Sequence, residues 1–219
     1  MNDARGEPSA PRPALGPWWR TLLGSTPDVI ALLAAQGGVT LDGLTAFGAW
    51  SHGGGPDAAA AVRSAQHQAY HARRGLLAAL QGALSTPIDQ EDVYLLSERI
   101  DRVLSQARNT VREAEVLGWE PDRHAGTMSD RLIEGTRSLV DGLALLRKEP
   151  VAAGRRSDAA SDAVHRLERD YRGAMASLSE VEDLRAVLAA HDIYRRYLSV
   201  GEAIVEVADR LWYVVLRGA

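Results

Sequence analysis

From Val187 to Val215 the chain repeats one pattern without a slip. Val187, His191, Tyr194, Leu198, Gly201, Val205, Ala208, Trp212 and Val215 follow one another at alternating steps of four and three residues. That period lays a single stripe along a long helix, predicted over about Val181 to Arg217, and resembles a coiled-coil seam. A strand would need alternation at every second residue, which is absent here. A helix this long draws its stability from packing, so the rest of the chain must supply helical partners.

It does so in five further stretches. Thr26-Pro27-Asp28 reads as a helix start, with Thr26 as cap and Pro27 at the first helical position, and helix one runs towards Trp50. Gly37-Gly38 weakens its middle by about 1 kcal/mol per glycine relative to alanine, which predicts a kink or a split. The loop Ser51 to Pro56 contains Gly53-Gly54-Gly55. No Gly-Lys-Ser/Thr follows it, so it reads as a plain turn rather than a phosphate cradle. Helix two is predicted over about Asp57 to Leu84, with Ala58, Val62, Ala65, Ala69, Leu76 and Leu80 on one side.

Thr86-Pro87 breaks that helix, because proline disfavours the helical conformation at the residue before it. Asp89, Glu91 and Asp92 put negative charge on the amino end of helix three, and Val93, Leu96, Ile100, Val103 and Ala107 form its stripe. Gly118 and Pro121 end it near Leu117, and Asp122 to Ser129 is assigned to the next turn. Helix four, about Met128 to Arg147, carries Met128, Leu132, Leu139, Leu143 and Leu146. Lys148 to Asp158, with Pro150 and Gly154, reads as an exposed connection. Helix five, about Asp158 to Leu178, repeats Ala160, Val164, Leu167, Tyr171, Ala174 and Leu178. A single Phe and few β-branched runs argue against a sheet. The fold class is therefore all-α: six long antiparallel helices, as a pair of three-helix bundles or one elongated bundle.

Residues 1–25 are read as a disordered tail carrying a tryptophan pair, and 26–219 as the helical domain. The tail lacks the apolar core of a signal peptide, and the longest aliphatic run, Val29 to Ala35, is too short to span a bilayer. The net charge of -4 is spread along the chain with no basic stripe, which argues against a nucleic-acid partner. Without cysteine there are no disulfides, thiolate metal sites or cysteine nucleophiles.

With that architecture in place, the run Thr86-Pro87-Ile88-Asp89-Gln90-Glu91-Asp92, then Leu95 and Ile100-Asp101-Arg102-Val103, resembles the signature of PhoU-like phosphate transport regulators, the group associated with Pit-type permeases. Leu167-Glu168 with Tyr171-Arg172, and Ile193-Tyr194-Arg195-Arg196 followed by Val207-Ala208-Asp209-Arg210, add to the resemblance, which covers about Val29 to Gly218. It implies three-helix units, a non-enzymatic cytoplasmic regulator working by protein contact with a membrane phosphate permease or a sensor, peripheral membrane association, and a possible homodimer.

The resemblance also implies Glu/Asp-x-x-x-Asp pairs holding iron or zinc. Carboxylates one turn apart share a helix face, and two such helices can surround a hard cation. Here Gln66 and Tyr70 stand in helix two, Ser105 follows Asp101, Val164 precedes Glu168 and Leu198 precedes Glu202. Every pair has lost a carboxylate, so the cluster is expected to be absent and no cofactor is assigned. Residual metal candidates are Asp101, Glu168, Glu202, Glu206 and Asp209, the last three lining one flank of the helix-six stripe.

Other residues carry competing readings. His67 and His71 have zinc spacing, but the run His-Gln-Ala-Tyr-His lacks the glutamate of a metalloprotease, and they are read as solvated or partly packed. Asp162-x-x-His165 is only a loose echo of a di-iron motif. Ser, His and Asp occur in no triad context, so no catalytic residue is assigned. Trp18 and Trp19 are candidates for docking on a partner or membrane interface, or for a lid over the bundle. Trp212 reads as core, while Trp50 and Trp119 cover the bundle tips. The alternative function is a scaffold that kept the fold and lost phosphate-related chemistry; a metal-storing carboxylate protein is a third.

Overall fold

Asp28 opens the first helix by accepting a hydrogen bond from the Ala31 N–H at 3.1 Å. The computed structural model describes residues 28–83 and 86–218, so Thr26-Pro27 and the Trp18-Trp19 pair lie outside the described residues. Within them are six α-helices and no strand: α1 Val29–Ser51, α2 Gly55–Gly82, α3 Gln90–Leu117, α4 Arg123–Leu145, α5 Pro150–Ser177 and α6 Leu184–Arg217, with a 3-10 turn at Leu178–Glu180.

The caps explain the borders. Asp89 accepts from Glu91 N–H at 3.0 Å to start α3, and Gly118, in the left-handed conformation at φ 62°, ends it. Two expected borders were misplaced. Asp122 accepts from both His124 and Ala125 N–H at 3.0 Å, so α4 starts at Arg123 rather than near Met128. Helix α5 starts at Pro150, not Asp158. Proline suits the first helical turn, where its missing N–H has no partner to lose, and Ala153 and Gly154 are buried helix positions rather than a connection.

Glycine also acts differently in α1. That helix runs unbroken through Gly37-Gly38, and Gly43 and Gly48 mark close approaches instead. A Cβ at Gly43 would lie 2.5 Å from Leu104 Cδ1 of α3, and one at Gly48 would lie 2.6 Å from Ile133 Cδ1 of α4. Helix α1 is also the one described helix long and apolar enough to cross a bilayer by length and composition, although its opening aliphatic run alone is too short. It instead packs against α2, α3 and α4.

The topology settles the choice between bundle arrangements. Helices α1, α2 and α3 touch one another, as do α4, α5 and α6, and the two units join through α1 against α4 and α3 against α6. Asp28 pairs with Arg147, and Arg217 with Asp89, so both joining pairs run antiparallel. Helices α2 and α5 are the outer helices. The stripes expected on α3 and α4 are buried as read. On α6 the buried face is wider and centred one residue away: Ile193, Tyr197, Val200, Ile204, Val207 and Leu211 join Tyr194, Gly201 and Ala208, while Leu198, Val205 and Val215 are half-buried. Three packed neighbours, α3, α4 and α5, demand that width.

Candidate functional site

The outer face of α2 against α3 is where carboxylate pairs would meet, and antiparallel packing brings four polar side chains together there. Gln66 Nε2 donates to Ser105 Oγ at 3.1 Å, and about two turns along α2 and one turn along α3 Arg73 stands 3.6 Å from Asp101. Burial pushes the Asp101 carboxyl up from 3.8; the Arg73 guanidinium opposes that shift and Glu98 adds to it. Asp101 faces the fixed cation of Arg73, and the Gln66 and Ser105 pair beside it is neutral. The group does not fit a multinuclear metal cluster, which needs several anionic oxygens around one point.

Around Gly201 the corresponding α5 against α6 contact is apolar. A Cβ on Gly201 would lie 2.6 Å from Leu167 Cδ2 and 3.2 Å from Val164 Cγ1, so these helices meet without room for a polar pair. Glu168 and Glu202 are exposed beside it, and Asp209 is exposed farther along α6. None of these three has a cationic partner within ion-pair distance among the described residues. Glu206 is different: both of its carboxylate oxygens accept from Arg102 Nη1, at 3.1 and 2.9 Å, and its backbone carbonyl accepts from Arg99 Nη1 at 2.6 Å. The candidates are thus distributed rather than gathered. Among the described residues no group of three or more His, Asp or Glu side chains is placed to hold a metal ion.

The joint between α3 and α6 holds the polar contacts that sequence reasoning missed. Arg210 pairs with the buried carboxylate of Asp92, and Arg217 approaches the same group at 3.6 Å. Tyr213 lies between the two guanidiniums, 4.7 and 5.6 Å from its ring centre. Arg196 pairs with Glu113 at 2.6 Å near the other end. The available signal was the acidic start of helix three, set against arginines spaced seven apart on helix six.

At the opposite end of the molecule from Asp92, Phe47, Trp50, Trp119, Tyr194 and Tyr197 form an aromatic cluster. Tyr194 donates to Asp122, the α4 cap, and Tyr197 shares a 2.7 Å hydrogen bond with Ser51. Burial is the main reason both phenols are pushed well above their usual range. Trp50 is buried and Trp119 half-buried at this tip, as expected. Trp212 is half-buried, covering Gly154 and donating to Asp158. His67 and His71 are both exposed on α2, with Tyr70 against His71. His165 lies 4.0 Å from Asp162 on the surface.

No protein-family model matches the chain. No curated protein matches it either. Among solved structures, a PhoU-like protein from Shewanella oneidensis MR-1 superposes with a TM-score of 0.69 at 15% identity, covering 86% of this chain and 99% of that one. A second protein from the same organism, described as a PhoU-like phosphate regulatory protein, gives 0.67 at 15% identity with the same coverage. The fold is PhoU-like: all-α, in two three-helix units.

Proposed function

We propose that the chain is a non-enzymatic regulator of phosphate transport that works by helix-face contact with a membrane phosphate permease or its sensor, without the iron or zinc cluster implied by the family resemblance. One observation carries the metal-free part: Arg73 and Asp101 are paired, and Gln66 bonds Ser105, at the α2–α3 contact where a cluster would need carboxylates. The fold and the intact Thr86-Pro87 turn with its α3 stripe support the regulatory part. A regulator of this kind acts through different affinity for two states of its partner, so it needs a shaped surface rather than a reactive group. Asp101, Glu168, Glu202, Glu206 and Asp209 then serve the surface charge of the bundle. Trp18 and Trp19 are proposed to recruit the partner or the membrane interface. The site of action is the cytoplasmic side of the membrane.

The deciding experiment is capture of the tagged full chain from membranes of its own host. Recovery of a phosphate permease or its sensor supports the reading. Recovery only of an unrelated complex overturns it and favours the scaffold.

A further inference from the structure

At the aromatic tip of the bundle the rings of Trp50 and Trp119 stand 6.4 Å apart, tilted by 52°. Beside them, between the α1–α2 and α3–α4 turns, opens a cup of about 380 Å³ lined by the two indoles, Pro56, Pro121, Glu115 and Glu120. Ligand pockets run from about 300 to 1,000 Å³, so the cup has the size of a small binding site.

The fold holds its walls in place. Gly118 closes α3 in the left-handed conformation, and the Trp119 N–H donates to the Ala114 carbonyl at 2.9 Å, which anchors the residue just past the cap. Trp50 stacks on Phe47 at 5.5 Å, and Trp119 meets Tyr194 edge-on at 6.1 Å. Both rings are backed by neighbours, so little side-chain freedom is left to lose on binding. Among the described residues neither indole N–H has an acceptor, unlike that of Trp212, which donates to Asp158. Of the two acids, Glu115 pairs with Arg63 at 2.8 Å. Glu120 is exposed and has no cation within ion-pair distance among the described residues.

An aromatic cup with spare N–H donors and an acidic rim suits a proline-rich, basic segment. Proline rings pack on indoles, the carbonyls of a polyproline-II backbone accept from the N–H groups, and arginine meets the acid. Residues 1–27, outside the described residues, contain such a segment. Five of the nine prolines of the chain fall there. Arg5, Pro8, Pro11, Ala14, Pro17 and Arg20 recur at every third residue, the period that sets them on one edge of a polyproline-II helix. Glu7 falls on another edge.

We propose that the cup receives residues 5–11 of its own chain, with Pro8 and Pro11 against Trp50 and Trp119 and Arg5 paired with Glu120. Length selects these prolines. Helix α1 carries the chain about 35 Å from Asp28 to the tip, at 1.5 Å per residue. The 17 residues from Pro11 to Asp28 cover about 50 Å at the polyproline-II rise, which leaves slack to round the bundle. From Pro17 the same rise gives only about 34 Å, with none.

Paired spin labels on the full chain test this, since it has no native cysteine. Labels on Ser9→Cys and Ala60→Cys, the latter exposed near the cup, should give one short, narrow distance. Labels on Ser9→Cys and Gln81→Cys, about 30 Å farther along α2, should give a long one. Pro8→Ala with Pro11→Ala should replace the short distance by a long, broad one. Glu120→Arg should lower the docked-to-free ratio about two- to fivefold, and adding Arg5→Glu should restore it. These changes lie outside the buried core, so the bundle keeps its fold. A long Ser9–Ala60 distance overturns the proposal, whether the cup then stays open or takes an added proline-rich peptide or organic cation. So does a short distance indifferent to the proline changes and to the charge swap. A short distance between singly labelled chains mixed together assigns the cup to the tail of a second copy, and overturns it too.

Discussion

Arg210 reaches from the last turns of α6 to the carboxylate of Asp92 in the first turn of α3, where Asp92 is buried and Arg210 is largely so. This pair fastens the two three-helix units at one end of their joint. Removing one member leaves the other charge buried and unpaired, so Arg210→Met should cost about 3–5 kcal/mol. Arg217→Met should cost much less, because Arg217 is 53% exposed and its contact with Asp92 is longer. Urea unfolding of the two variants checks the order, and equal losses would sink it.

The Asp101 carboxyl gives a pH signature. Its pKa is raised in the folded state, chiefly by burial, so the native chain holds that proton more tightly than the unfolded one. The resulting contribution to stability is full below about pH 4 and is lost as pH rises through the folded value. Asp101→Asn, which mimics the protonated group, should therefore raise Tm at pH 7 and leave it unchanged near pH 3. A lower Tm at pH 7 would mean that the Arg73 pair outweighs the cost of burial.

At the aromatic end the sign is set at high pH. Tyr194 and Tyr197 are both shifted upward, so the folded state keeps them neutral when unfolded phenols ionise, and stability should fall once pH exceeds about 10. Tyr197→Phe should reduce that alkaline loss while costing about 1 kcal/mol at neutral pH for the hydrogen bond with Ser51. Thermal melts between pH 7 and 11 separate the two effects.

Elemental analysis addresses the metal proposal. Purified protein should carry far less than one equivalent of iron or zinc, because Arg73 already faces Asp101. Stoichiometric metal that survives Asp101→Asn would place a site elsewhere, and stoichiometric metal lost on that change would restore the implied one.

Two glycines in α1 should respond in opposite directions. Gly43→Ala drives a methyl into Leu104 and should destabilise by about 1–3 kcal/mol. Gly38→Ala meets nothing within 4 Å and should stabilise by about 0.5–1 kcal/mol, since alanine is the better helix former.

These glycines show where the sequence was readable and where it was not. Local periodicity located Val93, Leu96, Ile100, Val103 and Ala107 as one buried stripe because those residues are neighbours on a single helix. The kink or split expected at Gly37-Gly38 did not form, and Pro150 was misread as part of a connection, because their roles depend on what packs beside them or on which end of a helix they occupy. The inner stripe of α6 was displaced by one residue for the same reason: three neighbours widen a face that a two-helix pattern would keep narrow. At the α2–α3 contact, the loss of carboxylates at Gln66 and Ser105 was visible by inspection. The Arg73–Asp101 pairing was not, since it depends on the antiparallel register of two helices.

Helix α1 is 23 residues long, and most of its length is apolar on every side. Its cover comes from α2, α3 and α4, and α4 ends only at Leu145. At typical rates of about 5–20 residues per second, a ribosome takes roughly 5–20 s to make the intervening chain. For that interval α1 has no complete shelter. A helix that the finished bundle conceals is, during synthesis, an apolar surface without its full cover. The late helix α4 thus governs not only the final packing of α1 but the length of time for which the newborn chain must be guarded.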